Sequence, residues 1–312
     1  MRSIWIICLA VLACAVGIGA AQIGAQDPAI SQRPAPPAGY DLIPSFTEEF
    51  YGNGLDTANW INVFAPRSLR DPQVVKRTLW GNGELQVYFD KKYLGLGIDP
   101  IRVANGVLTI SARPMTGGER AAVQADVSKQ RQDFQDAGLK KLSWVSGLIS
   151  TRDGFSQKYG YFEMRARWSM GKGLWPEFWL LPKDGGWPPE IDILEAHGDK
   201  PTTAFQSTHS NHAPKAITRT VSIPGSGDEF HRYGALWLPD RIDYYIDGEK
   251  TSSLPTTPDM TQPMYILANL AVGGYWPGYP EPDIKLPATM DIDYIRVWRF
   301  RGNPPAPAPV AN

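Results

Sequence analysis

One stretch of the chain carries three acids among apolar residues: residues 187–196 read Trp-Pro-Pro-Glu-Ile-Asp-Ile-Leu-Glu-Ala. The β-branched and aliphatic residues between the acids are typical of a strand. Successive side chains of a regular strand point to opposite faces, so Glu190 and Asp192 share one face and Glu195 points away. A bulge that inserts one residue returns Glu195 to the first face. The stretch therefore predicts a bulged strand with three carboxyls on one surface.

The rest of the body also has the punctuation of β-strands. Apolar and aromatic runs, often alternating, are bounded by Gly, Pro, Asn and Asp. Examples are residues 107–112, 159–168, 241–246 and 290–300. Residues 119–142 differ, because Val123, Val127 and Phe134 have helix-compatible spacing, and a short helix or a long insertion is expected there. We predict an all-β fold, a sandwich of two packed antiparallel sheets.

Length and composition are consistent with one domain. The chain has 312 residues, of which 43% are hydrophobic and 11% aromatic, enough to bury a core. All-β sandwiches of roughly 250 residues commonly form one domain. Residues 26–38 and 302–312 are rich in Pro and Ala and lack apolar periodicity, which predicts a linker and a disordered tail. The domain is then expected to span residues 39–301.

Residues 1–25 have the pattern of a secretory signal peptide. A basic residue, Arg2, precedes an apolar run from Ile4 to Ala20, and small residues follow. A membrane anchor is the alternative, but the run is shorter than the ~20 residues that a span needs. Both cysteines, Cys8 and Cys14, lie within this segment, so the mature chain is expected to have no disulfide or thiolate. The expected location is secreted or periplasmic.

The charge balance and the histidines exclude several classes of partner. With 31 basic and 32 acidic residues the formal net charge is −1, which argues against nucleic acid. The four histidines lack the short spacing typical of a zinc site. We expect a monomer without a membrane span, and catalysis that requires no cofactor.

The acids on the predicted strand suit one kind of chemistry. A retaining glycosidase holds two carboxyls about 5–5.5 Å apart, one as nucleophile and one as acid/base. Acids that alternate with aliphatic residues also form the solvent face of a half-buried sheet, which is the structural alternative. Four tryptophans close before or beside the acids favour the first interpretation, because indoles stack on sugar rings. They are Trp168, Trp175, Trp179 and Trp187.

The motif and its surroundings resemble glycoside hydrolase family 16. Residues 173–182 read Gly-Leu-Trp-Pro-Glu-Phe-Trp-Leu-Leu-Pro and are followed by the bulged form Glu-x-Asp-x-x-Glu at residues 190–195. Seven further segments match in family order. They are residues 46–50, 81–86, 159–163, 231–234, 245–248, 269–274 and 293–297.

The resemblance implies a β-jelly-roll sandwich with a concave substrate cleft, and retaining endo-hydrolysis of a β-linked polysaccharide. Glu190 matches the nucleophile, Glu195 the acid/base, and Asp192 the residue that hydrogen-bonds the nucleophile. Further positions match residues that contact sugar. They are Trp175, Trp179, Asn82, His209, Asn269 and Trp276. A structural calcium is implied at Gly106 and Asp293, with Glu48 as a further candidate and an ordinary surface aspartate as the alternative.

The bulged motif is similar to that of laminarinases, agarases, carrageenases and bacterial exopolysaccharide glycanases, whereas lichenases and plant xyloglucan transglycosylases have the unbulged form. The tryptophan-rich run favours a β-1,3- or β-1,3-1,4-glucan. A bacterial exopolysaccharide or a β-galactan is the alternative substrate. A glucan-binding jelly roll without turnover is a second function, but such relatives lack the glutamates that this chain retains. Transglycosylation stays open, since a sugar can intercept the covalent intermediate as water does.

Overall fold

The computed structural model describes residues 36–64 and 74–306. The predicted signal peptide, most of the linker at residues 26–38 and most of the tail at residues 302–312 lie outside the described residues. The first strand begins at Leu42 and the last ends at Phe300. Both limits fall inside the domain predicted from the sequence.

The described strands form one sheet of ten and one sheet of six. In chain order they are β1 (Leu42–Glu48), β2 (Gln86–Tyr88), β3 (Ile101–Ala104), β4 (Val107–Pro114), β5 (Trp144–Ser146), β6 (Leu148–Ser150), β7 (Gly160–Trp168), β8 (Leu174–Pro182), β9 (Glu190–Ala196), β10 (Thr203–His209), β11 (Ile217–Ser222), β12 (His231–Trp237), β13 (Arg241–Ile246), β14 (Glu249–Pro255), β15 (Met264–Val272) and β16 (Ala288–Phe300). The larger sheet has the order β14-β13-β12-β7-β16-β4-β5-β2, with β1 on β16 and β3 on β4, and the smaller has the order β11-β10-β9-β8-β15-β6. This confirms the predicted two-sheet, jelly-roll sandwich.

One detail differs from the predicted antiparallel arrangement. Strands β2 and β5 pair in parallel. A long crossover joins them, and parallel neighbours require such a connection. The crossover contains β3, β4 and the helices of the domain.

The core lies between the two sheets. Alternate residues of the strands point inward, so Phe178 and Ile191 of the small sheet belong to the same buried cluster as Phe162 and Ile110 of the large one. The opposite face of β8, β9 and β10 carries the polar and aromatic residues of the motif. The sandwich thus holds the acids on the outer face of the six-stranded sheet.

The exceptional segment at residues 119–142 is helical, as predicted, but contains two helices instead of one. They are α1 (Gly117–Val127) and α2 (Gln132–Ala137). Thr116 and Glu119 form a reciprocal capping box at the start of α1. Val123 and Val127 belong to a separate hydrophobic cluster that also contains Phe89, the residue after β2. In the described part of the chain, neither helix is long and apolar enough to cross a bilayer.

Candidate active site

The strand β9 contains the predicted bulge. On β8, Phe178 pairs with Leu194, but the next residue, Trp179, pairs with Asp192. The pairing of β9 with β10 shifts over the same interval. Ile193 and Leu194 both lie in the core, which leaves Glu195 on the same face as Glu190 and Asp192. The prediction that three carboxyls line one surface is confirmed.

These carboxyls line an open cleft of about 990 Å³. The cleft also includes most of the residues that the sequence predicted for sugar contact. These are Asn82, Trp175, Trp179, His209 and Trp276. The cleft therefore combines acids with aromatic rings, a lining that suits a sugar chain.

Two side chains approach the carboxyl of Glu190. Trp187 Nε1 donates to Glu190 Oε2 at 2.8 Å. His209 Nε2 lies 3.5 Å from Glu190 Oε1 and 3.3 Å from Asp192 Oδ2. The hydrogen bond from Trp187 favours the ionised carboxylate of Glu190.

The carboxyl of Glu195 has a different environment. Ser207 Oγ donates to Glu195 Oε2 at 3.2 Å. Burial and the charge of Glu190 raise the pKa of Glu195 to about 8. Glu195 therefore holds its proton at neutral pH, which is the state that a general acid requires.

Burial also raises the pKa of Glu190 and of Asp192. The negative charge of Asp192 adds to the effect on Glu190, while His209 and Trp187 oppose it. The charge of Glu195 adds to the effect on Asp192. Like charges this close cannot all ionise together, so the three groups titrate as a coupled set.

Asn269 differs from its predicted role. Its side chain is fully buried and is not among the cleft-lining residues. Its Oδ1 accepts from Trp179 Nε1 at 2.8 Å, and its Nδ2 donates to Tyr88 Oη at 2.9 Å and to Glu177. Asn269 therefore supports the indole of Trp179 from beneath, and its own side chain is enclosed where the sequence predicted a contact with sugar.

The other predicted residues lie nearer the solvent. Trp276 is 44% exposed and packs edge-on against Trp175, with ring centroids 5.3 Å apart. Asn82 is exposed at the end of a 3₁₀ turn, and its Nδ2 donates to Glu84 Oε1 at 2.9 Å. The turn ends at Gly83 with φ of 78°, and a Cβ there would lie 3.0 Å from the ring of Tyr275. The left-handed backbone conformation favours glycine at this position.

Two residues that sequence reasoning did not assign to the site lie close to its carboxyls. Glu177 pairs across the strands with Glu195, and its pKa is raised well above normal by burial, with the charge of Glu84 as the next cause. An acid inside the apolar run at residues 174–181 was the available signal. Trp187 was noted as an upstream tryptophan, but its position three residues before Glu190 did not reveal the hydrogen bond.

The implied calcium site is not preorganised for a cation. Asp293 Oδ2 accepts from the guanidinium of Arg165 at 2.9 Å. The two oxygens of Glu48 accept from Phe50 N at 2.9 Å and from Trp60 Nε1 at 3.0 Å. An arginine bonded to the principal carboxylate competes with a cation, so the calcium implied at Gly106 and Asp293 stays a prediction.

A different group has the spacing of metal ligands. Among the described residues, ligand atoms of Glu190, Asp192 and His209 lie within 4.8 Å of one another. The spacing of histidines along the sequence did not predict this group, because His209 comes from the strand next to the acids. A metal bound to these three groups would occupy carboxyl oxygens that a nucleophile and an acid/base use. The acids and aromatic rings of the cleft suit the chemistry of a carboxyl pair.

A β-sandwich cleft with paired carboxyls and aromatic walls is characteristic of glycoside hydrolases. Residues 117–296 match the family described as glycosyl hydrolases family 16. The chain belongs to this family.

Named relatives and solved structures agree with this membership. The chain is 38% identical over 224 residues to the endo-1,3-1,4-beta-glycanase EglC of Rhizobium meliloti (strain 1021), covering 71% of this chain and 44% of that protein. It is 30% identical over 270 residues to the beta-glucanase of Rhodothermus marinus, covering 77% and 84%. The solved endo-beta-1,3-glucanase of Pyrococcus furiosus superposes with a TM-score of 0.69 at 28% identity, covering 86% and 98%. The chain thus spans less than half the length of EglC.

Proposed function

We propose that this chain is a retaining endo-β-glycanase whose substrate is a β-1,3- or β-1,3-1,4-glucan. The observation that carries the proposal is the bulge of β9, which puts Glu190 and Glu195 on one face of the cleft. Glu190 accepts a hydrogen bond from the indole of Trp187, and burial raises the pKa of Glu195 to about 8. A carboxyl that keeps its proton at neutral pH, beside a second carboxyl on the same face, matches the needs of acid and nucleophile.

The proposed reaction has two displacements. In the first, the Glu195 carboxyl donates its proton to the glycosidic oxygen while a Glu190 oxygen bonds to the anomeric carbon, and the C–O bond to the leaving sugar breaks. In the second, the Glu195 carboxylate takes a proton from water, which attacks the anomeric carbon and releases Glu190. Asp192 and His209 hold Glu190 in place between the steps, because His209 Nε2 lies 3.5 Å from Glu190 Oε1 and 3.3 Å from Asp192 Oδ2.

The substrate class is supported by what the cleft offers and by the names of the relatives. Trp175, Trp276 and Tyr275 provide rings along the cleft wall, on which sugar rings can stack. EglC is named as an endo-1,3-1,4-beta-glycanase, and the Pyrococcus furiosus protein is named as an endo-beta-1,3-glucanase.

The substrate test is a panel of polymers. The purified protein should cleave laminarin and lichenan to oligosaccharides of mixed length, with the β-anomer appearing first by proton NMR. Cleavage of agarose without cleavage of laminarin or lichenan would contradict the glucan assignment, and cleavage of the succinylated bacterial polymer alone would favour the exopolysaccharide alternative. First release of the α-anomer would contradict retention.

The pH dependence should reflect the proton on Glu195. The general acid works only while protonated, so kcat/KM should fall as the pH rises through about 8.

Asp192→Asn removes a neighbouring negative charge, which makes ionisation of Glu195 easier and lowers its pKa. We expect this variant to be slower but active, with its alkaline limb at lower pH. A limb that stays in place would contradict coupling between these carboxyls.

Chelation should leave the reaction unchanged. The proposed steps use carboxyls and water, and Gly106 and Asp293 do not line the cleft. Dialysis against EDTA is therefore expected to give the untreated rate on laminarin. Loss of activity restored by calcium would support the implied ion, and restoration by zinc would indicate a metal at Glu190, Asp192 and His209.

A further inference from the structure

The segment between β8 and β9 brings an exposed tryptophan to a carboxyl of the cleft. Trp187 is 54% exposed, yet its Nε1 donates to Glu190 Oε2 at 2.8 Å. An indole has a single N–H and accepts no hydrogen bond, so the contact can only donate to the carboxylate. The exposed ring is thus fixed by its polar atom.

Further contacts of His209 and Asn211 hold this arrangement. The rings of Trp187 and His209 lie with centroids 5.8 Å apart, and His209 approaches the other oxygen of Glu190. Asn211 Nδ2 donates to Pro188 O at 3.3 Å, and Asn211 N donates to Asp259 Oδ2 at 2.8 Å. The segment that carries Trp187 is therefore tethered to the end of β10.

We propose that Trp187 is a positioning residue for Glu190, which it holds through the indole N–H while its exposed ring lies beside the path of the sugar chain. The inference rests on the proposed function for the role of Glu190 as nucleophile. The hydrogen bond itself is independent of that role.

The physical effect follows from the charge of the acceptor. Hydrogen bonds to ionised groups are shorter and stronger than neutral ones. This bond fixes one carboxylate oxygen, so the other is left to face the anomeric carbon, and it favours the ionised form of Glu190. Other groups also face Glu190 and set its charge. They are Asp192 and Glu195 on β9, His209 on β10 and Tyr265 on β15.

The test removes the N–H and keeps a ring. Trp187→Phe should lower kcat by about 10-fold or more, the loss expected for a hydrogen bond to a charged group. It should change KM less than kcat, and it should move the acid limb of kcat/KM to higher pH, because Glu190 loses a donor that favours ionisation.

Trp276→Phe is the matched control. It removes an indole N–H from the same cleft, but its rings contact Trp175, His197 and Phe205, so its acid limb should not move. Equal pH profiles for the two variants would overturn the proposal.

A second measurement does not depend on turnover. In ¹⁵N-labelled wild-type protein, the indole N–H resonance of Trp187, assigned by its absence from Trp187→Phe, should shift as Glu190 titrates. The shift should disappear in Glu190→Gln. An indole resonance that does not respond to pH would overturn the proposal even if Trp187→Phe failed to fold. If instead the resonance titrates while no glucan is cleaved, the positioning contact stands and the proposed function fails.

Discussion

Glu190→Gln should reduce turnover of laminarin by at least ~10⁴-fold, because an amide cannot form the covalent bond to the anomeric carbon. Glu195→Gln removes the proton donor and should cost about 10²–10⁴-fold. Both substitutions keep the size of the side chain, so the melting temperature should stay close to that of the unchanged protein. Glu249→Gln, on the exposed end of β14, is the control and should keep full activity.

Azide separates the two roles. In Glu195→Gln, azide attacks the glycosyl-enzyme and the product is the β-glycosyl azide, since two inversions have occurred. In Glu190→Gln, azide attacks the substrate directly and the product is the α-glycosyl azide. Proton NMR of the products distinguishes the anomers. Reversed anomers would exchange the two assignments, and full activity in both variants would eliminate the mechanism.

Trp179→Ala should lower the free energy of unfolding by about 3–5 kcal/mol, the usual cost of truncating a buried tryptophan. The indole is 5% exposed and lies in one hydrophobic cluster with Phe64, Tyr88 and Tyr265 at the floor of the cleft. Its loss also leaves Asn269 Oδ1 without its indole donor in a buried site, which adds to the cost. Urea unfolding monitored by far-ultraviolet circular dichroism measures the change.

Trp276→Ala is the matched control for this stability effect. It removes the same side chain from a half-exposed position, so it should cost far less stability and mainly weaken oligosaccharide binding. Affinity and unfolding should be measured on the same preparations of both variants. A Trp179→Ala protein of normal stability that has lost only affinity would show that this indole serves the sugar and not the floor.

The fold was accessible from the sequence because its signals are local. Alternation and turn residues marked the strands, and the odd offset of Glu195 required a bulge if the three acids were to act together. The helical segment was recognised through Val123 and Val127, but the break between its two helices was not. The parallel pairing of β2 with β5 depends on a long crossover, and no local pattern contains that information.

The site was accessible only in part, because burial and partner choice are properties of the packed molecule. Asn269 has the polar side chain of a sugar ligand, and only the packing of Trp179 and Tyr88 around it shows that it is enclosed. Glu177 stands among apolar residues, and its closeness to Glu195 follows from strand register. Trp187 meets Glu190 through a turn of the backbone that sequence spacing does not define.

The bulge on β9 also bears on how this strand tolerates changes of length. Ile193 and Leu194 both point into the core, so two consecutive residues occupy the inward position that one residue occupies on a regular strand. Removing one of them shortens the spacing between the glutamates from five to four, and on an unbulged strand four positions return to the same face. A single deletion at this point therefore keeps both carboxyls in the cleft. A deletion elsewhere in the strand moves every side chain that follows it to the opposite face of the sheet. The bulged and unbulged forms of the motif therefore present the same carboxyl-bearing surface, and they differ in length by a single residue.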